Sequence, residues 1–235
     1  MKEKILFVLL LLHAFLHAQK VKVHYDSYLI DLKDEFGGIN IISADLITDT
    51  NEALYISTTK DTVFTILDSG EYSSKKSDPF FLYKKLKTQE ACYFGQSVHK
   101  NPVKDTDYKI NWQIGKETKT LLGYHCNQAV CQWRGRSYTA FYTPDIPISS
   151  GPYKFDGLPG IILEINSEDK EVRIIARAIT RTEEKITNPF SEKQTISWQE
   201  FLKLYKKKFE DFRNLSLGEH TTQTIPKRYI ETYVE

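Results

Sequence analysis

Methionine occurs once in this chain of 235 residues, at Met1, and cysteine three times, at Cys92, Cys126 and Cys131. The first scarcity leaves no thioether sulfur for a soft metal site in the mature chain. The second leaves room for one disulfide at most. No two cysteines have the C-x-x-C spacing of a redox pair or a zinc site, and H-E-x-x-H is absent. The histidines beyond residue 18, His24, His99, His125 and His220, are scattered. No cofactor is expected. A glycine-rich phosphate loop with its lysine is also missing. Gly95-Gln96-Ser97-Val98-His99 has the outline of a serine elbow, but it ends in histidine and no helical pattern follows. Glu168-Asp169 and Glu183-Glu184 sit in turn-like stretches and read as solvated charge. Neither sign of charge is in excess, with 32 Lys and Arg against 31 Asp and Glu. A partner rich in phosphate usually needs a basic surplus, so nucleic acid is not an expected partner.

The N-terminus carries a targeting pattern. Lys2 and Lys4 precede an apolar run at 5–12, which Ala14, Phe15 and Leu16 extend past His13. Ala18 is a suitable small residue before a cut. Residues 1–18 are therefore expected to be a signal peptide, placing the protein in the periplasm or outside the cell. The run is short of the roughly 20 apolar residues that span a bilayer, and no later segment is apolar enough to do so. Removal of residues 1–18 takes away two lysines and one glutamate, leaving 30 charges of each sign. Residues 19–235 are expected to form a single domain.

Alternation of apolar and polar residues dominates that domain. Val21-Lys22-Val23-His24-Tyr25-Asp26 reads as a half-buried strand. Residues 53–59 and 62–67 read as two strands joined at Lys60-Asp61, with a polar loop over 73–78. Residues 91–94 and 109–114 are further strand candidates. A hairpin is predicted from 124–133 and 136–143 around Arg134-Gly135, and a second from 161–165 and 172–179. Ser197-Trp198-Gln199-Glu200 is a capping box. After it Trp198, Phe201, Leu202, Tyr205, Phe209 and Phe212 recur at helical spacing. A last strand is expected within 225–234. Strands following strands with one late helix, and no βαβ alternation, predict a mainly β, α+β fold. It is a curved antiparallel sheet of half-barrel form with one C-terminal amphipathic helix packed on it.

The densest local signal is Gly151-Pro152-Tyr153-Lys154-Phe155-Asp156-Gly157-Leu158-Pro159-Gly160, followed by the apolar run at 161–165. Glycine opens backbone angles closed to other residues, and proline fixes φ and removes a donor. Gly151, Pro152, Gly157, Pro159 and Gly160 therefore dictate a backbone path, and Lys154 and Asp156 carry no catalytic pattern. Gly157-Leu158-Pro159-Gly160-Ile161-Ile162 resembles the signature of GLPGLI proteins, envelope proteins of Gram-negative bacteria. The resemblance extends to Gly123-Tyr124-His125-Cys126 and to Gly135-Arg136-Ser137-Tyr138-Thr139-Ala140-Phe141-Tyr142-Thr143-Pro144, with Phe141 where tryptophan is usual. It implies an architecture and a compartment but no reaction.

The candidate residues follow. Arg136, at a hairpin tip, suits a carboxylate or phosphate anchor, or a clamp on the chain itself. Tyr153, Phe155 and Leu158 suit either the lining of a groove or plugs that pin the loop. No metal site is expected; Cys126 with His125 is the weak candidate. A disulfide of Cys92 with Cys126 or Cys131 is permitted in an oxidising compartment. Cys126 and Cys131, five apart, point to opposite faces of a straight strand unless a bulge intervenes. The function these features favour is a non-enzymatic binding or carrier protein for a small hydrophobic ligand or a peptide. The alternatives are an accessory subunit partnering an outer-membrane protein, and a metal-handling protein using Cys126.

Overall fold

The computed structural model describes residues 20–30, 39–58, 62–66, 72–76, 79–95, 100–213 and 230–231. Fourteen strands and one helix follow one another along these residues. In chain order they are β1 (Val21–Ile30), β2 (Ile39–Thr48), β3 (Glu52–Thr58), β4 (Thr62–Ile66), β5 (Tyr72–Lys76), β6 (Phe80–Lys85), β7 (Glu90–Tyr93) and β8 (Val103–Asp105). There follow β9 (Gln113–Leu121), β10 (Tyr124–Trp133), β11 (Arg136–Thr143), β12 (Ile161–Ser167), β13 (Val172–Arg181), β14 (Ile196–Ser197) and α1 (Trp198–Arg213). Twelve strands form one sheet in the order β14-β8-β7-β6-β3-β2-β1-β13-β12-β11-β10-β9, and β4 and β5 pair separately. The sheet is open, with β14 and β9 at its ends. Every pair is antiparallel except the two-residue β14–β8, which is parallel, so the expected mainly β, antiparallel architecture with one C-terminal helix is present. The two halves of the sheet meet at β1, which pairs with β2 on one side and β13 on the other.

Strand alternation decides the faces. β1 sends Val21, Val23, Tyr25 and Ser27 inward and Lys22, His24 and Asp26 outward. The inward face carries the main core, in which Tyr25, Tyr108, Tyr138, Phe155 and Phe201 are among the largest fully buried side chains. The outward face carries a smaller cluster of Ile47, Leu54 and Tyr83, covered by Ile186 and Phe190 from the segment after β13.

Helix α1 closes one end. Ser197 Oγ accepts a hydrogen bond from the Glu200 backbone N–H at 3.1 Å, satisfying an otherwise orphaned helical donor. Trp198 and Phe201 are buried, while Lys203, Lys206, Lys207 and Lys208 face out. A Cβ at Gly95 would lie 2.5 Å from the Phe201 ring, so the helix sits hard against the chain beyond β7. The side chains of Phe209 and Phe212 lie outside the described residues.

Local turn chemistry set the hairpins. Arg134 (φ 44°) and Gly135 (φ 83°) form the two-residue turn between β10 and β11, both in the left-handed region that such turns demand. Leu122 (φ 50°) and Gly123 (φ 84°) do the same between β9 and β10. The strands expected over 53–59 and 62–67 are present as β3 and β4, with β3 paired to β2 and β6; their connection at Lys60-Asp61 lies outside the described residues. Other expectations are corrected. The polar stretch at 73–78 overlaps β5, which pairs with β4. Residues 109–112 are irregular, and the strand begins only at Gln113. That irregular path lets Tyr108 and Ile110 both reach the core. Of the tail at 225–234, only Ile230 and Glu231 are described, in a bend.

Candidate functional site

Segment 144–160 lies on the inward face as an irregular layer. Proline supplies no donor there, and short local contacts take the place of a ladder: Ile148 N–H donates to the Ile146 carbonyl and Ser150 N–H to the Ile148 carbonyl, each at 2.8 Å. Ile162 N–H then donates to the Ser150 carbonyl at 2.9 Å, tying the layer to β12. Gly160 is required by proximity, since a Cβ there would stand 2.1 Å from the Thr143 carbonyl oxygen. Tyr153 has φ 51°, a left-handed conformation costly for a bulky aromatic residue.

Two lysines are buried between this layer and the sheet. Lys84, from β6, and Lys154 are both fully buried, at 0% exposure. Lys154 Nζ donates to Asp105 Oδ2 at 2.8 Å and to the Tyr93 hydroxyl at 2.8 Å, and lies 2.6 Å from Glu231 Oε1. Lys84 Nζ donates to the Gly151 carbonyl at 3.1 Å and lies 3.5 Å from Asp156 Oδ2. The Tyr108 hydroxyl donates to the same Asp156 oxygen at 3.1 Å, and Trp112 Nε1 to the Asp156 carbonyl at 2.7 Å. Arg134 grips Asp105 bidentately at 2.8 and 2.9 Å and also pairs with Glu231. The guanidinium lies 4.0 Å from the centre of the Trp198 ring, a cation–π contact with the helix.

Three cations, Lys84, Lys154 and Arg134, thus face three carboxylates, Asp105, Asp156 and Glu231. Burial of an unpaired charge costs several kcal/mol, and breaking one partner out of a buried pair typically costs about 3–5 kcal/mol. Burial pulls the Lys84 and Lys154 ammonium groups below their usual 10.5, against the opposing pull of Asp156 on one and of Glu231 and Asp105 on the other. Burial likewise raises the Asp156 carboxyl, with Lys84 opposing it. Burial also pushes Asp105 up, but Lys154 and Arg134 outweigh it and hold the carboxyl below 3.8. Shifted groups of this kind often mark reactive sites. Here both lysines are sealed from solvent, and their partners are the tail, the irregular layer and the sheet. The arrangement fastens three parts of the chain together.

The residues singled out in the sequence are dispersed around this network. Arg136 is buried and pairs with Asp169 and, at 2.7 Å, with Glu171. It clamps the β12–β13 turn, in which Lys170 has φ 61°. Phe155 and Leu158 lie in the core, at 0% and 1% exposure, and not along a groove. Phe155 packs edge-on to Tyr138 at 4.9 Å and against Trp133 at 5.3 Å. Tyr153 is half-buried and donates from its hydroxyl to Glu231 Oε1 at 2.8 Å.

The three cysteines are free thiols. The permitted bridge from Cys92 to Cys126 or Cys131 is not formed, because Cys92 packs with the outward cluster and the other two with the main core. A register shift between Asn127 and Ala129 brings Cys126 and Cys131 to one face despite their odd spacing. His125 is exposed while Cys126 is buried, so the two diverge. Among the described residues no group of three or more His, Cys, Asp or Glu is disposed to hold a metal.

A second polar cluster lies on the outward face of β1 and β2. His24 Nδ1 lies 2.8 Å from Asp45 Oδ1, Ser43 donates to Asp26 at 3.1 Å, and Arg177 donates to Asp26 at 2.8 Å. Lys22 bridges Asp45 and Glu184 at 3.3 and 3.0 Å. Lys22, His24, Ser43, Asp45 and Glu184 line a cleft that holds about 120 Å³. The alternation at 21–26 places His24 outward, but its partners come from β2, a strand that pattern did not disclose.

The two ends of the sheet differ. β14 is two residues long and runs directly into α1. β9 is nine residues long, largely exposed, and has one strand neighbour among the described residues, β10.

A model of a protein of unknown function, Porph_ging, matches residues 134–164, which run from the hairpin tip through the irregular layer into β12. The family matching there is Porph_ging rather than one bearing the GLPGLI name. No curated protein matches the chain. Two solved structures of PNGF-II are similar in fold. One, in space group P21, has TM-score 0.55 at 16% identity over 81% of this chain and 34% of that one. The other, in C2, has TM-score 0.53 at 18% identity over 81% and 33%. This chain spans about a third of the length of PNGF-II.

Proposed function

We infer that this protein is a secreted, non-enzymatic binding protein of the bacterial envelope, and that it takes an extended peptide by strand addition at β9. The asymmetry of the sheet ends carries the reading. An edge strand presents a row of backbone donors and acceptors ready to pair, and an incoming strand gains main-chain hydrogen bonds from it. β14 is short and continues into the helix, whereas β9 offers nine residues, among them Ile114 at 61% exposure. The packed inward face favours a peptide over a small hydrophobic ligand. The cleft on the outward face is also below the roughly 300 Å³ at which ligand pockets begin. Lys116 and the bulge opposite Gln128 blunt the edge against indiscriminate pairing and leave 118–121 and 113–114 as the adhesive stretches, while Lys119 is paired with Glu164. An accessory subunit of an outer-membrane assembly would use the same edge, with a partner protein's strand in place of a free peptide.

Linear heptapeptides selected by display against the mature chain are expected to slow hydrogen exchange at β9 amides. Ile114→Lys is expected to weaken them by about tenfold. Selected peptides that leave β9 exchange unchanged would defeat the reading.

A further inference from the structure

Glu231 is joined to the helix through residues 214–229, yet its carboxylate is fully buried. Three groups converge on it: Arg134, Lys154 Nζ at 2.6 Å and the Tyr153 hydroxyl at 2.8 Å. The Tyr138 hydroxyl donates to the carbonyl of Ile230, just before it. Both Oε atoms and the preceding backbone carbonyl are therefore read by side chains from β11, from the β10–β11 turn and from the irregular layer. Without Glu231 the remaining charges are two cations, Arg134 and Lys154, against the single carboxylate of Asp105. Asp156 is already matched by Lys84. The site is built one negative charge short, and the left-handed backbone at Tyr153 is held in place by what surrounds it.

We propose that Arg134, Lys154, Tyr153 and Tyr138 form a recognition site for a peptide bearing a side-chain carboxylate, and that the chain's own Ile230-Glu231 occupies it in cis. The site recognises a carboxylate through a buried cationic pair and the peptide through one main-chain carbonyl. Its ligand class is thus an aliphatic–acidic dipeptide unit within a peptide, and a tail of this sequence supplied in trans is such a ligand. The inference is independent of strand addition at β9.

The full-length variant Glu231→Ala removes the carboxylate and leaves space for a small one. Sodium acetate is expected to raise its melting temperature above that in sodium chloride of equal ionic strength, and to leave the native protein unmoved. The synthetic peptide Arg-Tyr-Ile-Glu-Thr-Tyr-Val-Glu, which copies residues 228–235, is expected to bind the variant at least tenfold more tightly than the native chain. Its Glu→Gln analogue at the fourth position should bind at least tenfold more weakly. Should Glu231→Ala fail to fold, Glu231→Gln, which keeps the volume, carries the same peptide comparison. No peptide binding to a folded variant, or equal binding of peptide and analogue, overturns the proposal. Acetate rescue without peptide binding reduces the site to a structural ion pair and overturns it as well.

Discussion

Cys92 and Cys126 present different barriers to a thiol reagent. Burial pushes the Cys92 thiol up to about 11, with nearby Lys104 only partly offsetting it. The Cys126 thiol is raised by burial too, and its sulfur donates to the Tyr124 carbonyl at 3.6 Å. Only the thiolate attacks, and an unperturbed cysteine has a pKa near 8.5. Alkylation of folded protein at pH 8 should therefore proceed at Cys92 on the order of 100-fold more slowly than at a free cysteine. In urea all three cysteines should become labelled without any reductant. Mass spectrometry counts the adducts, and a single adduct in urea would contradict the free-thiol assignment.

At the scale of the element, the helix cap is the cleanest local device. Ser197→Ala removes the acceptor for the Glu200 amide and should lower stability by about 1 kcal/mol, whereas Ser197→Asp should nearly preserve it. Comparison of urea midpoints would show this, and equal midpoints for alanine and aspartate would deny the cap its role. This cap, the Arg134-Gly135 turn and the Gly-Pro path were legible because each depends on neighbours within a few residues. β2 was not, because its register is decided by β1 and β3 on either side, and two of its isoleucines, Ile39 and Ile41, stay exposed. The charge network was illegible for a related reason. Lys84, Asp105, Arg134, Lys154 and Glu231 come from five separate parts of the chain, and no local pattern distinguishes an inward lysine from a solvated one. The one available hint was Lys84 itself, which shares the inward face of β6 with Leu82.

The whole molecule inherits a pH dependence from that network. The folded-state pKa of Asp105 lies below 3.8, so its contribution is complete above that value and is lost as pH falls through the depressed one. Asp156 acts with the opposite sign, because its raised carboxyl is favoured below 3.8 and penalised as pH rises through its folded value. Urea unfolding across pH 2–6 should show native stability declining below about pH 3.8. Asp105→Asn should be less stable at pH 6 and decline more shallowly; parallel profiles would remove Asp105 as the cause. The central place of β1 has a separate outcome for how the chain reaches this state. Synthesis begins at the N-terminus, so β1 exists long before β13, whose Arg181 must lie opposite Val21. Until β13 emerges, one side of the earliest strand is an unsatisfied template in the middle of the future sheet. Closure of that seam is a long-range step, slow by topology and exposed to mispairing. A nascent chain stalled before residue 172 is therefore the form most in need of a chaperone.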